Sequence, residues 1–260
     1  MDCPELALSP SPEPVSAHAF AASDRAAVYR AILTRRDVRS QFLPDPVSDA
    51  VLSRLLVAAH HAPSVGFMQP WTFIVIRARE VRARVHDLFV EANAAAATQF
   101  EGERQALYRS LKLQGILDAP VNLCITSDPD RAGPVVLGRT HDLSVDRYST
   151  VCAVQNLWLA ARAEGLGLGW VSILDPSALK QVLGIPERIV PIAYLCLGWV
   201  SEYLPTPELA QKGWRQRLGA EEVLRLDGWG GHPEPSPLLD RFRADIAAVA
   251  EGTFPDPAAA

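Results

Sequence analysis

The chain has 260 residues, of which 48% are hydrophobic and 21% are charged, and its formal net charge is -5. These proportions are ordinary for a globular protein long enough to bury a full core. A negative balance argues against a general nucleic-acid surface, no apolar run approaches the ~20 residues of a membrane span, and the N-terminus lacks a signal-peptide pattern. We therefore expect a cytoplasmic protein that binds neither nucleic acid nor membranes.

The four cysteines, Cys3, Cys124, Cys152 and Cys196, contain no C-x-x-C pair. Two of them lie in apolar strand-like runs and Cys152 lies in a helical pattern, so buried free thiols are expected. The six histidines also lack the spacing of metal ligands. No metal site is expected.

The chain begins with residues 1–22, which are rich in Pro, Ser and Ala and indicate a flexible arm. Ser23 or Asp24 is then expected to cap a helix that ends at an arginine cluster. Ser48 is expected to cap a second helix. The composition predicts a main domain over residues 23–227 and an extension over 228–260.

The arginine cluster reads Arg35-Arg36-Asp37-Val38-Arg39. Arginine presents a planar fork of donors that suits phosphate, and an acid among three such groups is either a salt-bridge partner or a group with a tuned pKa. The spacing alone leaves open a solvated salt-bridge cluster at a helix end. A second arginine pair, Arg215 and Arg217, follows about 175 residues later.

Residues 61–71 form a loop, because Pro63, Gly66 and Pro70 interrupt any periodicity. A hydroxyl, an amide and a glycine in this loop could hold a flat polar ligand, although a plain helix-to-strand connection explains the same residues.

Periodicity and breakers predict the remaining elements. They are strands at 71–76, 121–126, 165–173 and 190–200, a helical tract at 80–116 with a break at 100–102, helices at 148–164, 176–183 and 238–249, and a loop at 128–146 that suggests a lid or a dimer arm.

The alternating glycines Gly165, Gly167 and Gly169 follow a helix and precede a strand. A dinucleotide-binding fingerprint needs strand, glycines, then helix, so that interpretation fails. The glycines instead predict a helix C-cap and a flat backbone from which Ser172 emerges.

Four segments occur in the order typical of the nitroreductase-type FMN-binding family: R-R-x-x-R, P-S-x-x-x-x-Q-P-W, the glycine-rich turn and a late R-x-R. The chain resembles that family over roughly residues 25–220. The resemblance implies an α+β fold with a central mixed sheet flanked by helices. It also implies a homodimer that binds FMN at the shared interface.

Two details resemble the flavin-fragmenting branch of that family. Ordinary members commonly carry Ser at the position of Asp37 and Asn where this chain has Phe67-Met68. This resemblance implies O2-dependent fragmentation of reduced FMN to 5,6-dimethylbenzimidazole, the lower ligand of vitamin B12, and D-erythrose 4-phosphate. An FMN-dependent NAD(P)H nitroreductase and a non-catalytic flavin-binding protein are the alternatives.

The resemblance also implies roles for individual residues. Asp37 would lie near the ribityl chain and Ser172 near the flavin N5, as catalytic groups. Reduced FMN and O2 would be consumed, and a separate NAD(P)H flavin reductase is an implied partner. The implied flavin contacts are Arg35, Arg36, Asp37, Val38, Arg39, Ser64, Met68, Gln69, Leu111, Ser172, Arg215 and Arg217.

Overall fold

The computed structural model describes residues 18–230 and 236–253. The chain divides into two compact units, one spanning Thr34–Gln216 and the other made of the described residues up to Leu33 together with those from Arg217 onward. Most of the predicted arm and part of the predicted extension lie outside the described residues. The expected domain boundaries stay predictions.

The described residues form nine helices, four strands and one 3-10 turn. The helices are α1 (Ala22–Thr34), α2 (Asp49–His60), α3 (Arg79–Ala97), α4 (Gly102–Ser110), α5 (Val145–Ala163), α6 (Pro176–Leu183), α7 (Glu208–Gln211), α8 (Ala220–Val223) and α9 (Pro237–Ala250). The strands are β1 (Trp71–Ile76), β2 (Val121–Ser127), β3 (Leu166–Val171) and β4 (Val190–Trp199), and the 3-10 turn is Val65–Phe67. Among these residues, none of the helices combines the length and apolarity that a bilayer crossing requires.

The four strands form one sheet in the order β1-β2-β4-β3, and every neighbouring pair is antiparallel. The sheet was expected to be mixed, but within the described residues the only parallel pairing is an isolated bridge between Asp37 and Leu168. The prediction missed this because a strand's sequence shows its burial and not the direction of its neighbour. Helices do flank the sheet, as expected.

The core lies on both faces of the sheet. Alternate residues of a strand point to opposite faces. On β2, Leu123 and Ile125 join the cluster that contains the buried faces of α2 and α5, whereas Cys124 joins the cluster that contains α3 and α6. The sheet is therefore a buried middle layer.

Local capping signals explain several helix ends. Ser48 caps α2, as expected, by accepting a hydrogen bond from Val51 N. Asp175 caps α6 in the same way, and Gly184 ends it with a φ of 65°. These side chains satisfy backbone groups that have no partner within the helix.

Two predicted helix ends are wrong. Neither Ser23 nor Asp24 caps α1, because the helix begins at Ala22 and both residues lie inside its first turn, where Asp24 N and Arg25 N donate to the Ala21 carbonyl. The second half of the 80–116 tract ends at Ser110, and Leu111 is extended. The buried Arg82 donates to the carbonyls of residues 116 and 119, and these contacts hold the segment in a loop.

The cysteine prediction is right for two described thiols and wrong for one. Cys124 and Cys196 are buried, and burial raises the pKa of each thiol to about 12. Cys152 is exposed, because it lies on the outer side of α5. Cys3 lies outside the described residues.

The segment that carries the arginine cluster lies directly against β3. Val38 N donates to the Leu168 carbonyl at 3.1 Å. A side chain at Gly169 would place its Cβ 2.1 Å from the Val38 carbonyl oxygen, and one at Gly167 would lie 2.8 Å from a Val38 methyl carbon. The alternate glycines therefore give β3 a flat face on which this segment rests.

We predict that Gly169→Ala destabilises the protein by about 1–3 kcal/mol, because the added methyl group must displace the backbone at Val38. Urea unfolding measures this change. Gly228→Ala is the matched control, since a Cβ at Gly228 meets nothing within 4 Å, and it should stay within about 0.5 kcal/mol of the parent. Equal stability of the two variants would contradict the close approach.

Candidate active site

Asp37 lies at the centre of a small charged cluster between the arginine segment and β3. Its Oδ1 accepts a hydrogen bond from Trp170 N at 2.9 Å, and its Oδ2 accepts one from Arg39 Nη2. The Arg39 side chain is only 10% exposed, whereas 30% of the Asp37 side chain is exposed. Asp37 is therefore fixed on its protein side and still accessible from solvent.

Burial raises the pKa of the Asp37 carboxyl above its ordinary value. The positive charge of Arg39, the hydrogen bond from Trp170 N and the charge of Arg35 oppose this increase, and the negative charge of Glu208 adds to it. Because the net direction is upward, Asp37 retains its proton to a higher pH than a free aspartate does. A carboxyl with this tuning suits proton transfer.

Trp158 of α5 holds the neighbouring arginine. The Arg35 guanidinium carbon lies 4.8 Å from the centroid of the Trp158 ring, a cation–π arrangement. Trp158 Nε1 donates to the Arg36 carbonyl at 3.2 Å. This indole therefore fixes both the backbone and one cation of the segment that carries Asp37.

Arg36 contacts carbonyl oxygens of its own chain. Its Nε donates to the Leu204 carbonyl at 2.9 Å, its Nη2 to the Pro205 carbonyl and its Nη1 to the Arg35 carbonyl at 2.8 Å. The guanidinium thus holds the strand-to-helix connection after β4 beside the arginine segment. Its predicted contact with a flavin phosphate stays a prediction.

A second set of predicted residues surrounds the 3-10 turn. Ser64 Oγ accepts from Gln69 N at 3.1 Å, and Met68 is buried. Phe67 and Gln69 have φ values of 54° and 47°, which residues with a side chain seldom adopt. Strain of this kind is concentrated at functional sites.

The segment before α5 packs against this turn. A Cβ at Gly66 would lie 2.6 Å from a Val136 methyl carbon and 2.8 Å from the Leu137 carbonyl oxygen. Arg139 anchors the segment through the Pro129 carbonyl at 3.1 Å and through the buried Asp146 at 3.4 Å. The role of this segment as a lid or dimer arm stays a prediction.

The other predicted residues occupy several places. Ser172 is exposed and directly follows β3, two residues beyond the amide that holds Asp37. Leu111 is half-buried at the end of α4, and Val38 is buried against β3. Arg215 and Arg217 are both exposed, and neither forms an ion pair within the part of the chain that the structure describes.

The predicted site residues that have hydrogen bonds or ion pairs in the described structure fall into two sets, one around Asp37 and one around the 3-10 turn. Sequence reasoning identified members of both. It missed Glu208, which lies close to Arg39, and the amide of Trp170. Neither carried a signal, because Glu208 begins a four-residue helix and any residue other than proline supplies an amide.

Residues 32–199 match the family model described as the nitroreductase family. The chain belongs to the nitroreductase family.

The chain is also similar to individual members of this family and to a solved structure. The chain is 44% identical over 191 residues to a 5,6-dimethylbenzimidazole synthase of Rhodospirillum rubrum. This alignment covers 74% of this chain and 90% of the relative. The chain is 42% identical over 203 residues to one of Rhodobacter capsulatus, covering 78% and 97%. A BluB-like flavoprotein structure from Clostridium difficile shares the fold with a TM-score of 0.59 at 19% identity, covering 77% of this chain and 99% of that one.

Among the described residues, no group of three or more His, Cys, Asp or Glu side chains is placed to hold a metal ion. The charged cluster is instead built from arginines and two carboxylates. Its donors are those that recognise phosphate and carboxylate groups in proteins.

We predict that Arg39→Gln raises the pKa of Asp37 further, because it removes the nearest positive charge and a charge-assisted hydrogen bond. The pH titration of the Asp37 carboxyl carbon, followed by 13C NMR and assigned with Asp37→Asn, measures this change.

Arg54→Gln is the control, since Arg54 forms a comparable pair with Glu164 at the surface. It should leave the titration of Asp37 in place. A downward movement or no movement in Arg39→Gln would contradict the geometry of the cluster.

Proposed function

We propose that this protein is a 5,6-dimethylbenzimidazole synthase, which uses O2 to fragment reduced FMN into 5,6-dimethylbenzimidazole and D-erythrose 4-phosphate. The observation that carries the proposal is the half-buried Asp37, fixed by Arg39 and by Trp170 N and with a raised pKa. The names of the two relatives, each matched over at least nine-tenths of its length, support the same reaction.

The residues present fit a flavin with a phosphate group. A phosphate dianion needs several forked cationic donors when it is removed from water. We assign this role to Arg35, Arg39 and Arg215, with Arg36 stabilising the backbone beside them, and the expected role of Arg217 stays a prediction. The strained turn after Ser64, where Phe67 and Gln69 have positive φ values, is a surface on which a planar ring can approach the backbone.

The proposed flavin contacts combine both sets of side chains. Val38, Ser64, Met68, Gln69 and Leu111 line the ring in this proposal. When bound, reduced FMN supplies both the electrons for O2 and the carbon atoms of the product.

The numbers of carbon atoms in the substrate and products show which atoms of the ribityl group must react. The ribityl group has five carbons and the released sugar phosphate has four, so one carbon, C1′, stays with the aromatic fragment. Closing the imidazole ring around that carbon requires removal of protons at C1′ and transfer of protons to and from the neighbouring hydroxyl groups. A carboxyl held beside the ribityl chain serves this purpose, and we assign the role to Asp37.

Ser172 is assigned to the other reacting region. Ser172 is exposed and lies two residues after Trp170, whose amide donates to Asp37. A hydroxyl at this place donates a hydrogen bond to the flavin N5 and so orients the ring toward O2. Removal of this donor would change the fate of the reduced flavin more than its binding.

A homodimer with FMN at the shared interface is part of the proposal. Several large apolar side chains near the 3-10 turn and on α5 are exposed. They are Phe67 at 81%, Val135 at 78%, Leu137 at 85%, Tyr148 at 58% and Val151 at 42%. A second copy of the chain would bury them and bring the set around the turn to the set around Asp37.

The electron donor is proposed to be a separate NAD(P)H-dependent flavin reductase. The reaction consumes one reduced FMN in each turnover, so flavin has to arrive already reduced. The residues of the two sets are all assigned to the flavin in this proposal, and none of them is assigned to a nicotinamide.

We predict that the protein mixed with reduced FMN and air produces 5,6-dimethylbenzimidazole, detected by chromatography. Asp37→Asn should retain FMN binding and lose product formation by a factor of about 10² or more, because the amide cannot take up the proton.

Asp45→Asn removes an exposed carboxylate from the same part of the chain and should keep full activity. Recovery of only FMN and peroxide from the parent protein would reject the synthase in favour of a nitroreductase or a flavin oxidase. Reduced binding with unchanged turnover per bound flavin in Asp37→Asn would make Asp37 structural.

A further inference from the structure

Arg39 lies between two carboxylates, and the second of them has no part in the reaction proposed above. Glu208 Oε2 lies 3.8 Å from Arg39 Nη1, while Arg39 Nη2 donates to Asp37. The Glu208 side chain is 13% exposed, and its Oε2 is buried without a hydrogen-bond partner among the described residues. A carboxylate oxygen in this situation is costly, so its position requires an explanation.

Hydrogen bonds on both sides of Glu208 fix its position. Arg36 donates to the carbonyls of Leu204 and Pro205, four and three residues before Glu208. Residues 207–211 then close α7, where Ala210 N, Gln211 N and Lys212 N donate to the carbonyls of Pro207 and Glu208. Two arginines of one segment thus contact the connection between β4 and α7. Arg36 donates to its backbone carbonyls, and Arg39 forms an ion pair with Glu208.

The distance determines what Glu208 can do. At 3.8 Å the pair is too long for a hydrogen bond, but two charges at that separation in a largely buried environment interact strongly. Glu208 therefore competes with Asp37 for the positive charge of Arg39 without competing for the same nitrogen.

We propose that Glu208 is a positioning residue for Asp37, which orients the Arg39 fork and keeps the Asp37 carboxyl basic enough to accept a proton. The inference deepens the proposed function, because it rests on the assignment of Asp37 as the group that moves protons. In this proposal, Glu208 acts on Asp37 through the charge of Arg39 and does not contact the substrate.

The groups that face Asp37 lie on four parts of the chain. Arg35 and Arg39 lie on its own segment, and Glu208 lies on α7. The neighbouring group on β4 is the thiol of Cys196, whose pKa is raised to about 12 by burial and which is therefore neutral in the working pH range. From β3 comes the uncharged amide of Trp170. Glu208 is thus the one negative group in this set besides Asp37 itself.

The test compares Glu208→Gln, which removes the charge and keeps the shape, with Glu208→Asp, which keeps the charge. Without the Glu208 charge, Arg39 acts on Asp37 alone and the carboxyl becomes more acidic. In Glu208→Gln, the acid limb of the pH profile for benzimidazole formation should therefore move to lower pH. The rate at neutral pH should fall by roughly tenfold, less than in Asp37→Asn.

Glu202→Gln is the matched control, since Glu202 is exposed and lies on the same connection. It should keep the parent pH profile, and Glu208→Asp should restore most of it. A Glu208→Gln variant that loses activity while its acid limb stays in place would show a merely structural role and overturn the proposal.

A second measurement separates this inference from the proposed function. The 13C titration of the Asp37 carboxyl carbon in the protein without flavin tests the coupling without any turnover. A downward movement of that titration in Glu208→Gln supports the coupling, and an unchanged titration overturns it. If Asp37→Asn still forms the benzimidazole, the assignment of Asp37 fails while the coupling between Glu208 and Asp37 stands.

Discussion

The hydrogen bond from Trp170 N to Asp37 is the interaction on which the candidate site depends. It exists because β3 presents glycines where the arginine segment crosses it, so that the Val38 carbonyl approaches to a distance that any side chain at Gly169 would prevent. With the backbone fixed there, the Arg39 side chain lies close to both the Asp37 and the Glu208 carboxylates and completes the cluster. Gly167 and Gly169 of the edge strand β3 thus allow the arginine segment to approach closely enough to form the candidate site.

The structure also explains why arginines that are neighbours in sequence do different work. Arg39 shares its fork between two carboxylates, Arg35 lies over the face of Trp158, and Arg36 holds backbone carbonyls. Three adjacent positive charges would repel one another without these partners. Because each guanidinium has a separate partner, the three charges are held apart and the backbone that carries Asp37 is fixed.

Local signals predicted most of the fold and part of the site. The cap at Ser48, the break before α4, the glycine turn after α5 and the strand at Trp71–Ile76 follow from residues close in sequence, and the structure confirms them. The antiparallel pairing, the early end of α4 at Ser110 and the role of Arg36 depend on partners 30 or more residues away. Glu208 was missed for the same reason, since its meaning comes only from Arg39 across the fold.

In the proposed reaction, this protein cleaves reduced FMN and keeps one ribityl carbon in its product. The most direct measurement supplies reduced FMN carrying 13C at ribityl C1′ under air and records the mass of the benzimidazole formed. The proposed chemistry predicts a product that carries the label, with an unlabelled four-carbon sugar phosphate beside it. Labelled FMN recovered intact, or a benzimidazole without the label, would contradict it.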